Sequence, residues 1–139
     1  MGDDYPYKND APDAPGGDGW GFDKRECTSF VTYRMNHQYE IPFKNNMKGH
    51  LFGNADTWAD NARNIGYRVD SVPAVGSIAA FGPGVSGAGS RGHVALVAVV
   101  NSNGTITIEE YNWWDPYPHN YGSRTIPADH PTSYIHVAN

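Results

Sequence analysis

The sequence predicts an α+β fold, two helices followed by an antiparallel β-sheet, and three observations carry that expectation. Residues 23–36 place apolar side chains at helical spacing around the only cysteine, Cys27. Beyond Gly66 the period changes to that of strands. Sixteen glycines, ten prolines and a 13% aromatic share call for long loops between these elements.

The 139 residues fit one domain, 1–139, large enough to bury a core without staples. One cysteine excludes an internal disulfide and any multi-cysteine metal site. No apolar run reaches the length of a membrane span, and Met1-Gly2-Asp3-Asp4 is not a signal peptide, so any export signal lies outside this sequence. Net charge is −5, of which the first 26 residues carry seven acids against three bases, or −4. No basic face interleaved with aromatics exists, which argues against nucleic acid as a partner, and membrane is likewise not expected.

Residues 1–22 show neither period and read as an irregular N-terminal arm, docked by Tyr5, Tyr7, Trp20 and Phe22. Asp18 and Asp23 are its candidate calcium ligands. The alternating acids of a calcium loop are missing, however, and solvated acids are the simpler account. Asp23 and Glu26 then form the pattern of a capping box, so a helix should begin close to Cys27. A helix N-terminus favours an anion and raises the thiolate fraction of a cysteine placed there. Cys27 also shares a helical stripe with Phe30, Val31, Arg34 and Met35, and an inert core thiol is the commoner fate of such a residue. Position alone does not choose; a base is needed.

A polar connector over 37–53 leads to a second helix from Asn54 to Ile65, with Asn54 as N-cap, a stripe of Ala55, Trp58, Ala59, Ala62 and Ile65, and Gly66 as its end. Trp58 is assigned to the core. Ser77–Phe81 is a short strand and Gly82–Gly89 a flexible loop. Residues 92–100 are apolar on both faces and form a central strand, joined through the Asn103-Gly104 turn to its partner Thr105–Asn112. Weaker strands at Tyr121–Ile126 and Ser133–Val137 complete the sheet.

Five of the six histidines lie in loops, at a helix end or in a late strand. His93 instead opens the most apolar strand, where a polar group needs a partner; a bond to backbone would satisfy it as well as a catalytic role. On the partner strand, side chains alternate, so Ile106, Ile108, Glu110 and Asn112 share one face. Glu109 falls with the threonines, toward solvent, and its loss is expected to leave most activity. Counting through a short turn, partner numbers add up to about 205, which puts His93 opposite Asn112 with Glu110 one step away; a bulge would shift this by a residue. A carboxylate or amide on Nδ1–H would leave Nε2 free to deprotonate a thiol.

Four stretches in order, Arg25-Glu26-Cys27-Thr28-Ser29-Phe30, Asn54-Ala55-Asp56-Thr57-Trp58, Gly92-His93-Val94-Ala95 and Gly104 through Glu110-Tyr111-Asn112-Trp113, resemble the CHAP family of cysteine, histidine-dependent amidohydrolases/peptidases. The resemblance runs from Trp20 to the C-terminus. It implies a papain-like fold in which the cysteine-bearing helix packs on the antiparallel sheet. It also implies hydrolysis of a peptidoglycan amide bond, as an amidase or an endopeptidase, by a secreted or wall-associated monomer. By position, Cys27 matches the nucleophile, His93 the base, Glu110 its orienting residue and Asn112 the asparagine beside it. Trp20, Trp113, Trp114 and Tyr117 are candidate groove walls. Two departures stand out: Glu26 replaces the glutamine many members carry before the cysteine, and the calcium-binding acids of some phage members are mostly absent. A non-catalytic wall-binding surface antigen is the alternative reading, and no His-Glu-x-x-His supports a metal hydrolase.

Overall fold

The computed structural model describes residues 2–12, 17–113 and 118–138. In chain order its elements are α1 (Cys27–His37), β1 (Asn46–Met47), β2 (His50–Leu51), α2 (Trp58–Asn64), β3 (Arg68–Asp70), β4 (Ile78–Phe81), β5 (His93–Val100), β6 (Thr105–Tyr111), β7 (Tyr121–Pro127) and β8 (Ser133–His136). β1 and β2 make a small separate hairpin; the other six form one antiparallel sheet in the order β3-β8-β4-β5-β6-β7.

Helix α1 starts at Cys27, but not through a capping box. Arg25 takes φ 66, which breaks the helical path before Glu26, and Glu26 becomes the N-cap with no side-chain capping bond. Asp23 therefore cannot cap this helix. The sequence of α1, rich in threonine and aromatics, has only modest helix propensity, so tertiary packing must hold it. Every residue from Cys27 to Met35 is buried, a wider burial than one apolar stripe foresees. The reason is the arm, which covers the outer side: Tyr5 packs on Phe30, Tyr33 and Tyr111, and its hydroxyl bonds Ser29 Oγ at 2.6 Å while accepting the N–H of Arg25 at 2.8 Å. The described residues of the arm form turns and bends only.

The second helix is shorter than its apolar stripe suggests. Asn54 is extended and makes no side-chain cap; a 3-10 turn over Ala55–Thr57 precedes α2, and Gly66, at φ 99, ends it. Trp58 is fully buried and donates its indole N–H to the carbonyl of Gly53 at 3.0 Å, as a core residue does.

The sheet is covered on both faces. Ile78, Ala80, Val94, Leu96, Tyr111 and Ile135 face α1 and α2. Ala79, Phe81, Ala95, Val97, Ile106 and Ile108 build a second apolar layer on the other side. Strand pairing between β5 and β6 starts one residue from the expected register, Val100 opposite Ile106. A bulge between Val97 and Val99 then shifts it, so that Leu96 lies opposite Glu109. At Leu96 and Val97 the register matches the count, partner numbers adding up to 205.

Two-sided burial overturns the expected exposure of Glu109. Its side chain points toward α1, only 3% exposed, and its carboxylate accepts both terminal nitrogens of Arg34 at 2.9 and 3.0 Å. Tyr121 Oη and the N–H of Gly2 donate to the same carboxylate at 2.8 and 3.1 Å. Burial opposes ionisation of this carboxyl, yet Arg34 and Tyr121 outweigh it and hold it below the usual carboxylate range.

Candidate active site

Cys27 occupies the first helical position of α1, where backbone N–H groups lack intrahelical acceptors. His93 opens β5 and Glu110 lies on β6, on the face away from the helix, as the alternation of β6 requires. His93 Nε2 and Glu110 Oε1 are 2.8 Å apart, with His93 3% exposed and Glu110 fully buried. The expected partner of the carboxylate was Nδ1; the structure assigns it Nε2 instead. Nδ1 is thus the nitrogen left toward the Cys27 side chain, which lies near enough to act on the charge of the ring.

That arrangement retains the ring proton. Burial alone pushes an imidazolium's pKa down, but charge and hydrogen bonding from Cys27, joined by those from Glu110, outweigh it and raise His93 from 6.5 to about 9. Phe81 and Trp113 pack on the ring with centroids at 5.7 and 4.9 Å, which keeps competing hydrogen-bond donors away from it.

Asn112 does not meet His93. The chain leaves β6 at Asn112 with φ 56, so the strand ends one residue earlier than expected and the side chain swings toward the helix. Asn112 Nδ2 donates to Glu26 Oε1 at 2.8 Å, and its Oδ1 accepts the N–H of His119 at 2.7 Å. Glu26 Oε2 lies 3.5 Å from His119 Nδ1. A clasp thus joins the N-cap of α1 to the end of β6, tying the element that carries the sulfur to the strand that carries the carboxylate. Glu26 accepts from Asn112 here, whereas a glutamine in its place would bring an amide donor to this end of the helix.

Cys27, His93, Asn112 and Trp113 line a cleft of about 470 Å³ whose rim carries Asp23 and Arg91. Trp20 is not part of it: this side chain packs between Tyr7 and Tyr33, at 6.3 and 6.1 Å, and belongs to the docked arm. Trp114 and Tyr117 fall outside the described residues. Asp18 spends Oδ1 on the N–H groups of Trp20 and Phe22, at 2.8 and 3.1 Å. Its Oδ2 is buried without a partner, while Asp23 is exposed. Calcium takes six to eight oxygens, and no group of three or more metal-binding side chains forms among the described residues.

Nothing in the sequence singles out Arg124. From β7 it donates Nε to Glu110 Oε2 at 2.6 Å and a terminal nitrogen to Oε1 at 3.3 Å, and its guanidinium lies 3.7 Å from the Trp113 ring centroid. The β6–β7 register, Glu110 opposite Gly122, makes Arg124 a same-face diagonal neighbour of Glu110. That register would have exposed the pairing, but the long connection between the strands hides it from a residue count.

The profile of the CHAP domain matches residues 17–112. The chain belongs to the CHAP domain family. It is 45% identical over 87 residues to the probable autolysin SsaALP of Staphylococcus aureus, covering 62% of this chain and 30% of that protein. It is 36% identical over 115 residues to the staphylococcal secretory antigen SsaA of Staphylococcus epidermidis, covering 81% of this chain and 38% of the relative. The chain therefore spans about a third of the length of these curated relatives. Among solved structures, an N-acetylmuramoyl-L-alanine amidase from Staphylococcus aureus superposes with a TM-score of 0.64 at 32% identity, over 79% of this chain and 30% of that one. The CHAP fold here is the papain-like α+β arrangement, its cysteine-bearing helix laid on an antiparallel sheet.

Proposed function

We propose that this CHAP domain is a cysteine-dependent peptidoglycan hydrolase that cuts an amide bond of the bacterial cell wall, working as a monomer outside the cell. The observation that carries the reading is the buried chain Cys27–His93–Glu110 opening into a cleft at a helix N-terminus. The names of the relatives, an autolysin and an amidase, supply the substrate class.

In this mechanism the Cys27 sulfur attacks the amide carbonyl carbon, and the oxygen gains its charge beside the N–H of Cys27. His93 passes its proton to the leaving amine as the C–N bond breaks, leaving an acyl thioester. Water then enters, His93 takes one of its protons, and hydroxide attack expels the sulfur and frees the acid. Glu110 holds the ring by Nε2 throughout.

Purified Cys27→Ala and His93→Ala proteins are expected to leave bacterial walls turbid where the wild type clears them. Mass spectrometry of digested sacculi then names the bond. Intact stem peptides freed from glycan indicate the N-acetylmuramoyl-L-alanine linkage, whereas new amino termini within peptides indicate an endopeptidase. The name secretory antigen, which one relative carries, favours one other reading, a non-catalytic wall-binding module. Wild-type protein that pellets with walls but releases nothing would establish that reading and sink the enzyme.

A further inference from the structure

A carboxylate that must orient a histidine has two oxygens and free rotation about its last bond, and Glu110 has no exposed surface on which water could satisfy the second one. Burying an anion in this way is tolerated only if its remaining lone pairs are met with good geometry. The group that meets them is Arg124. Its Nε takes Oε2 at 2.6 Å, so the oxygen left facing the imidazole is Oε1, 2.8 Å from His93 Nε2. The second nitrogen of the fork reaches Oε1 at 3.3 Å and fixes the carboxylate plane from the opposite side. The same guanidinium lies 3.7 Å from the centroid of Trp113, whose ring packs at 4.9 Å on His93. One residue on β7 thus touches both groups that confine the imidazole, and it touches neither Cys27 nor His93 among the described contacts.

We propose that Arg124 is a positioning residue of this site: it holds the Glu110 carboxylate with Oε1 aimed at His93 and presses Trp113 onto the same ring. The proposal rests on the reading that Cys27 and His93 are the reacting pair. It adds a fourth element, on a strand beyond the match of the family profile at residue 112, to the three that the sequence shows.

Alkylation of Cys27 tests it. The chain has a single cysteine, so intact-mass measurement of iodoacetamide addition reports that sulfur alone and needs no natural substrate. Wild type, Arg124→Met, Arg124→Lys, Glu110→Gln and the double variant Arg124→Met/Glu110→Gln are compared at neutral pH, each shown folded by circular dichroism. Glu110→Gln and Arg124→Met should each slow alkylation about tenfold, and the double variant should be no slower than Glu110→Gln alone, because the arginine acts through the carboxylate. Arg124→Lys, which keeps the charge and loses the fork, should stay within about threefold of wild type. Wild-type alkylation by Arg124→Met, or single penalties that multiply in the double variant, would overturn the proposal. If Arg124→Met does not fold, Arg124→Gln takes its place, and the same rates support or overturn the proposal. Wall clearing is followed in parallel: a wild type that alkylates as described but clears nothing refutes the substrate reading and leaves the role of Arg124 intact.

Discussion

Replacing Glu109 by alanine isolates the buried ion pair that holds α1 to the sheet. The Arg34 side chain is 0% exposed and that of Glu109 4%, so the variant leaves a buried guanidinium whose ionic partner is reduced to the exposed Asp4 carboxylate, 2.9 Å from Nε. Removing one partner of a buried pair costs about 3–5 kcal/mol, and the surviving contact with a solvent-screened Asp4 offsets little of it. Unfolding entropy of ~2.1 cal/mol/K per residue gives about 0.3 kcal/mol/K for 139 residues, so the midpoint should fall by roughly 10–17 °C. Thermal unfolding followed by far-ultraviolet circular dichroism at pH 7 measures it. The double variant Arg34→Met/Glu109→Leu, which fills the space with apolar side chains, should recover most of the loss. The carboxyl sits below its ordinary value of 4.5, so the pair's stabilisation is present above that value and lost as pH falls through the depressed folded one. Glu109→Ala should therefore also blunt the acid sensitivity of the fold. A drop below about 3 °C would refute the reasoning, because the charge would then have found water or another partner. Well below its midpoint the variant should alkylate Cys27 at the wild-type rate, since Glu109 faces away from the cleft.

Three further outcomes follow from the site. Hydrolysis should decline as pH rises through about 9, where His93 releases the proton destined for the leaving amine. Alkylation of Cys27 should show no matching fall, and parallel declines would count against His93 as the donor. Stability has the same sense: the unfolded chain holds this proton only below 6.5 and the folded chain to about 9, so the contribution is complete below 6.5 and is lost as pH climbs to about 9. Gly92→Ala should disturb the base directly, because Gly92 has φ 70 and an added Cβ would meet the Phe81 carbonyl oxygen at 2.5 Å. Strain of about 1–3 kcal/mol predicts a midpoint lower by roughly 3–10 °C together with slowed alkylation; an unchanged midpoint would show that the loop before His93 yields freely.

Much of this molecule was legible in its sequence because the informative signals are local. Periodicity placed Cys27 in a helix, and it placed the β5–β6 hairpin and the facing of Glu110, while the turn at Asn103-Gly104 set a register that the bulge restored toward the site end. What was not legible depended on what covers a surface. Alternation says that Glu109 and Glu110 face opposite ways, but only the arm and α1 decide that both sides are dry. The capping-box pattern failed because Arg25 adopts a left-handed backbone stabilised from afar, with Nε bonded to the carbonyl of His119 and a terminal nitrogen to that of Asp10. Strand β3 escaped notice since three residues carry too little period to be seen. Trp20 was placed at the cleft as an aromatic wall and packs in the arm instead; Asn112, placed by face and register, does line the cleft, but its bonds go to Glu26 and His119, which a linear count does not connect to it.

Neighbouring glutamates on β6 divide their labour: Glu109 anchors the helix and Glu110 steadies the imidazole, one peptide bond apart. Deleting a single amino acid ahead of Glu109 would carry Glu110 into the seat beside Arg34 and bring Tyr111 behind His93, leaving the imidazole without its carboxylate. Lineages of this chain should accordingly vary the length of the 101–104 turn, whose slack the β5 bulge can absorb, while the residue count of β6 from Glu109 to Asn112 stays fixed.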